Sequence, residues 1–338
     1  MSQLVSTEPA TGATLWTGKI SDVNAEVARA RAAWPQWAAQ PLTSRIEIVR
    51  RFANLVRSKN DKLADLIARE TGKPIWEALT EVDAVINKVE ISVAAYSERT
   101  GQKRMEGAMG DRTAIRHKPH GVMAVLGPYN FPAHLPNGHI VPALIAGNAL
   151  VFKPSEKTPA VGQMLVDLYH AAGVPDDAIR LIIGGPLEGK TLTAHADVDG
   201  VLFTGSAQTG ALIHRKFAGR PEVMLALELG GNNALIVWPP VDAKAAANLI
   251  AHSAFATSGQ RCSCARRLIV PQGAEGDKII AALAELTPKI SVGPADQTPE
   301  AFLGPVVNAD SADRAVKFEQ GLTALGGKSI KPVHCRSS

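Results

Sequence analysis

Apolar residues recur at helical spacing through the first hundred residues of the chain. In residues 76–96 they occupy positions 79, 82, 86, 89, 93 and 96, in steps of 3, 4, 3, 4 and 3. This spacing is typical of a helix with one buried face. An Ala-rich segment at 23–37 and a periodic segment at 44–71 add two more predicted helices. An extended or hairpin start over residues 1–20 is predicted to precede all three.

From residue 121 the pattern changes to short apolar runs that alternate with longer amphipathic segments. Strands are predicted at 122–126, 149–152, 180–183, 200–203, 224–227 and 234–237. Helices are predicted at 137–146, 159–172, 188–196 and 207–217. Repeated strand-helix units with continuous apolar strands predict an α/β fold, with a parallel sheet covered by helices on both faces.

The segment at 101–120 is polar, contains glycine and then alternates, which predicts a projecting hairpin. It is either a plain surface ribbon or a subunit contact, since an exposed strand edge invites pairing.

Composition narrows the class of protein. The chain has 338 residues, 46% of them apolar and 20% charged, as in soluble globular proteins. The net charge of +4 comes from scattered basic residues, which argues against a nucleic-acid partner. The apolar run 140–152 is interrupted and too short to cross a membrane. Residues 1–16 show no export or organelle signal, so a cytoplasmic location is expected.

The three cysteines fit a reducing compartment, because they are too few for a disulfide framework. Cys262 and Cys264 are too close in sequence for an ordinary disulfide. A metal site made from them with His334 and Cys335 lacks the usual C-x-x-C spacing, so no metal is expected.

Two reactive side chains border glycine-containing turns. Glu228 precedes Gly230, and Cys262 follows Gly259 and Arg261. A nearby positive charge or helix terminus favours the thiolate, which makes Cys262 a candidate nucleophile and Glu228 a candidate base. The alternatives are a small buried cysteine and a capping or packing carboxylate.

Other candidates follow the predicted strands, where parallel sheets bind ligands. Asn130 lies between two prolines and is either a preorganised oxyanion donor or a turn residue. Lys153 and Glu156 can bind ribose hydroxyls, and Glu156 would repel a 2′-phosphate, which favours NAD; a solvated charge pair is the alternative. Residues 203–210 form a glycine-containing turn into a helix N-terminus, suited to a phosphate. The chain contains no G-x-G-x-x-G motif.

Five of these motifs occur in the order found in the NAD(P)-dependent aldehyde dehydrogenase superfamily, which the chain resembles to about residue 307. They are Pro128-Tyr129-Asn130-Phe131-Pro132, Lys153-Pro154-Ser155-Glu156, Phe203-Thr204-Gly205-Ser206, Glu228-Leu229-Gly230-Gly231 and Gly259-Gln260-Arg261-Cys262. Within the superfamily, residues 127–156 and 258–270 are most similar to the N-succinylglutamate 5-semialdehyde dehydrogenases of bacterial arginine catabolism.

The resemblance implies a mechanism and a cofactor, NAD. Cys262 would attack the aldehyde, the Asn130 amide and the Cys262 backbone N–H would hold the oxyanion, and Glu228 would activate water against the thioester. The implied cofactor-binding residues are Lys153, Ser155, Glu156, Gly205, Ser206, Gly210 and Leu229. The implied partner is a small-molecule aldehyde, without nucleic acid or membrane, and full-length members of the family homo-oligomerise.

The resemblance also implies a Rossmann-type NAD-binding domain over residues 1–238 and the N-terminal part of a catalytic domain over 239–338. Tyr129 departs from the tryptophan usual in the family. The chain ends at Ser338, where the family continues, so a truncated chain is expected. Two alternatives stay open: a CoA-acylating semialdehyde dehydrogenase and a catalytically impaired nucleotide-binding remnant.

Overall fold

The computed structural model describes residues 3–101 and 103–333. His334 and Cys335, considered above for a metal site, lie outside the described residues, as does the end of the predicted catalytic domain. The elements up to residue 115 are β1 (Gln3–Thr7), β2 (Thr14–Lys19), α1 (Val23–Ala39), α2 (Leu42–Ser58), α3 (Asn60–Thr71), α4 (Ile75–Arg99), β3 (Lys103–Glu106) and β4 (Arg112–Ile115). β1 pairs with β2, and β3 pairs antiparallel with β4, which confirms both predicted hairpins.

The single helix predicted over 44–71 is wrong, because the segment forms two helices. α2 ends at Ser58, and the backbone of the capping residue Lys59 leaves the helical region with φ −118° and ψ 23°. The hydroxyl of the preceding Ser58 donates to the carbonyl of Leu55 at 2.8 Å. Serine and asparagine side chains compete with helical backbone bonds in this way, so the Ser58-Lys59-Asn60 sequence ends one helix and starts the next.

The next elements form alternating strands and helices: β5 (Val122–Leu126), α5 (His134–Ile145), β6 (Ala149–Lys153), α6 (Pro159–Ala172), β7 (Ile179–Leu181), α7 (Pro186–Ala194), β8 (Gly200–Gly205), α8 (Ala207–Phe217) and β9 (Met224–Leu229). The strands form a parallel five-stranded sheet in the order β7-β6-β5-β8-β9. This arrangement confirms the predicted α/β class. The strand order reverses between β5 and β8, and such a switch point opens a crevice at the carboxyl ends of the strands.

The chain continues with β10 (Asn233–Ile236), α9 (Ala243–Phe255), β11 (Ala265–Ile269), α10 (Ala274–Leu286) and α11 (Ala309–Ala324). The sequence pattern placed residues 234–237 in the series of sheet strands, but β10 pairs in parallel with β11 instead. Residues 230–232 alone separate β9 from β10. A parallel neighbour needs a long crossover connection, so β10 cannot follow β9 as the next parallel strand of the sheet.

The chain divides into two compact units. The first unit holds residues 1–6, 15–66 and 79–229, and the second holds residues 7–14, 67–78 and 230–338. The predicted functional division between residues 238 and 239 stays a prediction.

The core of the first unit lies against both faces of the sheet. β6 is buried at every position, as expected for an inner parallel strand. Val122 and Val151 pack with Val27 of α1 in one apolar cluster. Elsewhere in the core, the buried Tyr169 hydroxyl donates to Asn137 Oδ1, and Asn137 Nδ2 donates to the carbonyl of Val85 at 3.1 Å. These buried bonds fix α5, the helix that follows the Asn130 turn.

The second unit has a smaller core between β10, β11 and the two helices beside them. Ala246, Ile250 and Ile279 are buried there, and Leu235 and Leu268 pack against them. In the part of the chain that the structure describes, no helix combines the length and apolarity needed to cross a membrane.

The β6 strand offers a test of core packing. Leu150→Ala removes a fully buried side chain, and we expect a loss of about 2–5 kcal/mol in the free energy of unfolding. Leu187→Ala is the matched control, because Leu187 is 70% exposed in the same unit. Urea unfolding followed by circular dichroism measures both. Equal stability of the two variants would contradict the assignment of β6 to the core.

Candidate active site

The carboxyl ends of four parallel strands lie at one edge of the sheet in the first unit. Leu126 pairs with both Lys153 and Phe203 across the strands, and Thr204 pairs with Glu228. Most of the candidate residues follow or end these strands, namely Asn130, Lys153, Ser155, Glu156, Gly205, Ser206, Gly210, Glu228 and Leu229. Cys262 belongs to the second unit and is described with it below.

A cavity of about 630 Å³ lies at this edge. Its lining includes Lys153, Ser155, Glu156, Phe203 and Lys216. A volume of this size is ordinary for a small-molecule or cofactor site. The wall thus combines an ammonium, a hydroxyl and a carboxylate, which are the groups that bind sugar hydroxyls.

Lys153 is held close to its own chain at the cavity wall. Its side chain is buried, and Nζ donates to the carbonyl of Pro154 at 3.0 Å and lies 4.0 Å from Glu156 Oε2. Burial lowers the pKa of Lys153, and the negative charges of Glu156 and Glu188 oppose that shift. The ammonium is therefore kept desolvated, with little water to compete for a ligand hydroxyl.

The N-terminus of α8 borders the same edge. Ser206 caps this helix, because its Oγ accepts the N–H of Thr209 at 3.2 Å. A Cβ at Gly210 would lie 2.4 Å from the side chain of Leu229. Gly210 therefore allows Leu229 of β9 to pack against α8. A helix N-terminus with this capping suits a phosphate group.

The Asn130 turn is held from two directions. The N–H of Phe131 donates to Asn130 Oδ1 at 3.1 Å. This bond fixes the orientation of the amide, whose NH₂ group is its donor end. The buried Glu81 accepts the N–H groups of Ala133 and His134 at 2.9 and 3.1 Å through the same oxygen. Sequence patterns did not identify Glu81, because a charged residue in an amphipathic helix normally faces solvent.

Glu228 is exposed at the end of β9. Its strand partner Thr204 contacts His139, whose Nε2 lies 3.1 Å from Thr204 Oγ1. Burial lowers the pKa of His139; the negative charge of Glu228 opposes this shift, and the positive charge of Lys88 adds to it. A neutral imidazole therefore lies within the field of Glu228. The sequence contained one signal for His139, because it is a polar residue within the apolar segment that forms α5.

In the second unit, Cys262 follows a turn with unusual backbone geometry. Thr257, Ser258 and Gly259 all have positive φ, at 55°, 54° and 72°. Left-handed geometry costs a non-glycine residue about 1–2 kcal/mol, so the first two residues need outside support. Cys262 itself is exposed, and its carbonyl accepts a hydrogen bond from Asn233 Nδ2 at 2.7 Å.

The two neighbouring cysteines differ in environment. Cys264 is buried, with its Sγ 3.6 Å from the carbonyl of Ala256, whereas Cys262 is exposed. Across residues 3–101 and 103–333, no group of three or more His, Cys, Asp and Glu side chains is arranged to hold a metal ion.

Arg261 pairs with a buried carboxylate that sequence patterns did not identify. Its guanidinium bonds to Glu77 at 2.5 Å and to Thr257 Oγ1 at 2.8 Å, and Glu77 is fully buried. The influence of the positive charge of Arg261 on the thiol of Cys262 stays a prediction. Sequence reasoning also missed Glu77, whose partner residues lie some 180 positions later in the chain.

The chain is similar to known proteins in both sequence and fold. It matches the aldehyde dehydrogenase family over residues 2–331. The chain belongs to the aldehyde dehydrogenase family. This membership confirms the resemblance drawn from the five motifs.

Two curated relatives of this aldehyde dehydrogenase are named N-succinylglutamate 5-semialdehyde dehydrogenase. The one from Sphingopyxis alaskensis is 58% identical over 329 residues, which cover 97% of this chain and 68% of the relative. The one from Novosphingobium aromaticivorans is 56% identical over 330 residues, which cover 98% of this chain and 70% of the relative.

Solved structures agree with the fold of this aldehyde dehydrogenase. A betaine aldehyde dehydrogenase from Staphylococcus aureus, in complex with NAD⁺, aligns with a TM-score of 0.92 at 27% identity, covering 98% of this chain and 67% of that one. A glyceraldehyde-3-phosphate dehydrogenase from Methanocaldococcus jannaschii, complexed with NADP, aligns with a TM-score of 0.88 at 26% identity, covering 96% and 72%.

The buried lysine of this aldehyde dehydrogenase yields a stability prediction. Because burial lowers the pKa of Lys153, the charged ammonium destabilises the folded state wherever it is protonated. Lys153→Met should therefore raise the free energy of unfolding at pH 7. The gain should shrink as the pH rises from the lowered pKa towards about 10.4, the pKa of an unfolded lysine.

Urea unfolding at pH 7 and pH 10 measures this gain. Lys59→Met is the control, because Lys59 is exposed in the same unit, and it should change stability little at either pH. A Lys153→Met variant that is less stable than the parent at pH 7 would show that the buried ammonium is net stabilising.

Proposed function

We propose that this aldehyde dehydrogenase oxidises N-succinylglutamate 5-semialdehyde to N-succinylglutamate with NAD, as a cytoplasmic step of arginine catabolism. The observation that carries this proposal is the 58% identity, over 97% of the chain, to a relative of that name. The exposed thiol of Cys262 and the exposed carboxylate of Glu228 support it, because each group is open to a substrate or to water.

The proposed chemistry begins at Cys262. Its thiolate attacks the aldehyde carbon, and the resulting oxyanion accepts hydrogen bonds from the Cys262 backbone N–H and the Asn130 NH₂ group. Loss of hydride from this adduct leaves a thioester on Sγ. Glu228 then takes a proton from water, and the hydroxide attacks the thioester, releasing the carboxylic acid and the thiolate.

NAD, when bound, supplies the hydride acceptor. Lys153, Ser155 and Glu156 would hold its adenosine ribose, because they line a cavity of about 630 Å³ with both donors and an acceptor. The carboxylate of Glu156 would disfavour a 2′-phosphate, and this supports NAD over NADP. Gly205, Ser206, Gly210 and Leu229, at or beside the start of α8, would contact the phosphates and the nicotinamide.

We also propose that the chain has two functional domains, with NAD binding in residues 1–238 and the nucleophile in residues 239–338. We also propose that the β3–β4 hairpin contacts a second subunit. Every residue of β4 is exposed, which supports a surface available for pairing.

The nucleophile is tested with a matched pair of cysteine variants. Cys262→Ala should abolish NADH formation from N-succinylglutamate 5-semialdehyde, measured at 340 nm, while NAD binding by calorimetry is retained. Cys264→Ala should stay active, because that buried thiol contacts the Ala256 carbonyl. Activity in Cys262→Ala equal to that of the parent would refute the assignment. An inactive parent chain that still binds NAD would favour the nucleotide-binding remnant.

The role of Glu228 predicts a distinct kinetic signature. Glu228→Gln should release about one equivalent of NADH rapidly and then stall, because acylation of Cys262 precedes the step that the base serves. Stopped-flow absorbance at 340 nm measures this burst. Loss of the first turnover would assign Glu228 another role. Addition of CoA tests the CoA-acylating alternative. In that case CoA would accept the acyl group from Cys262 and restore turnover in Glu228→Gln.

A further inference from the structure

The turn before Cys262 is held by a carboxylate that the mechanism above does not use. Glu77, at the start of α4, has no exposed surface and lies in the same unit as the turn. Its Oε2 accepts the backbone N–H of Thr257 at 3.1 Å, and its Oε1 accepts the Thr257 hydroxyl. One residue thus engages both the main chain and the side chain at the first left-handed position.

The same carboxylate also engages the end of the turn. Glu77 Oε1 accepts from Arg261 Nη2, and Arg261 Nε donates to Thr257 Oγ1 at 2.8 Å. The three side chains therefore form a closed ring of hydrogen bonds that joins residue 257 to residue 261. Because Arg261 immediately precedes Cys262, the ring fixes the backbone on which the thiol is carried.

Two further contacts of the turn complete its support. Ser258 Oγ donates to the carbonyl of Gly304 at 2.6 Å, and Gln260 Oε1 accepts the N–H of Val307 at 3.1 Å. These bonds hold the middle of the turn but involve neutral groups. Bonds with an ionised partner are the stronger kind, and the ionic partners are Glu77 and Arg261.

We propose that Glu77 is a positioning residue for Cys262: its buried carboxylate keeps Thr257 and Ser258 in their left-handed conformation and so orients the thiol and backbone N–H of Cys262. This inference rests on the proposed nucleophilic role of Cys262. Glu77 would act without touching the substrate, through Thr257 and Arg261. A glutamine cannot replace it, since its NH₂ group would face the donor groups of those two residues.

The first test is Glu77→Gln in the full chain. We expect kcat for N-succinylglutamate 5-semialdehyde to fall about 10²-fold, the effect of misplacing a reacting group by about 1 Å. The KM for NAD should change less than about twofold, because neither Glu77 nor the turn is among the residues proposed to hold the cofactor. Glu300→Gln is the matched control: Glu300 accepts the N–H of Trp76 at 2.9 Å in the same unit, and this variant should keep the parent kcat.

Rescue separates positioning from a general structural role. Glycine adopts the left-handed conformation freely, so Ser258→Gly in the Glu77→Gln background should recover about tenfold in kcat. Ser258→Ala in the same background loses the same bond to Gly304 but gains no such freedom, and it should give no recovery. A structural defect elsewhere in the unit would respond equally to both changes.

Hydrogen exchange tests the turn without turnover. The peptide that contains residues 255–264 should exchange faster in Glu77→Gln than in the parent, while peptides of the five-stranded sheet stay unchanged. This result would hold even if the parent showed no dehydrogenase activity, so failure of the proposed function and failure of this inference are distinguishable.

A second pair of variants serves if Glu77→Gln does not fold. Thr257→Val removes the hydroxyl shared by Glu77 and Arg261 and should lower kcat about tenfold, the effect of losing a bond to a charged group. Thr257→Ser keeps that hydroxyl and should match the parent. A kcat within about twofold of the parent in Glu77→Gln or Thr257→Val, with unchanged exchange at 255–264, would overturn the proposal. Recovery that is equal with Ser258→Gly and Ser258→Ala would do the same.

Discussion

The local structure around Cys262 depends on a backbone conformation that its own residues disfavour. Thr257 is β-branched and Ser258 carries a Cβ, yet both have φ near 55°. Such residues keep this geometry only when their surroundings dictate it. The surroundings here are a buried carboxylate, a guanidinium and two backbone groups of the segment 304–307. Strain and support lie within one unit, so the turn is specified locally.

The parallel sheet positions the other candidate residues in a different way. Parallel strands bring their carboxyl ends to one edge, so groups as far apart in sequence as Leu126 and Phe203 become neighbours without strained backbone. The constraint at this edge is the burial of a charged side chain. The cavity wall requires Lys153 beneath the surface, where desolvation lowers its pKa, and this burial favours ligand hydroxyls at the expense of stability. The folded state thus bears an electrostatic cost at Lys153 and a cost in backbone geometry at the turn before Cys262.

Sequence patterns predicted the parallel sheet, the hairpins and the ordered motifs, because strand burial and glycine turns are local signals. They failed where the deciding partner is distant or a local signal is subtle. The break at Lys59 depends on side-chain competition within three residues, and the fate of β10 depends on the short connection after β9. Charged residues on an amphipathic helix normally face solvent, so the pattern gave no signal for Glu77 and Glu81, whose roles appear only from the groups that they bind.

Cys262 and Cys264 show how little sequence separation is needed to divide an exposed thiol from a buried one. The carbonyls of both residues accept hydrogen bonds from the same Asn233 amide, so their backbones are anchored alike. The two cysteines differ in exposure, and they also differ in the segments that flank them. Cys264 leads into β11 and is buried, whereas Cys262 ends the left-handed turn and remains exposed. The ring that joins residues 257 and 261 thus lies on the Cys262 side of this pair, and strand β11 lies on the Cys264 side.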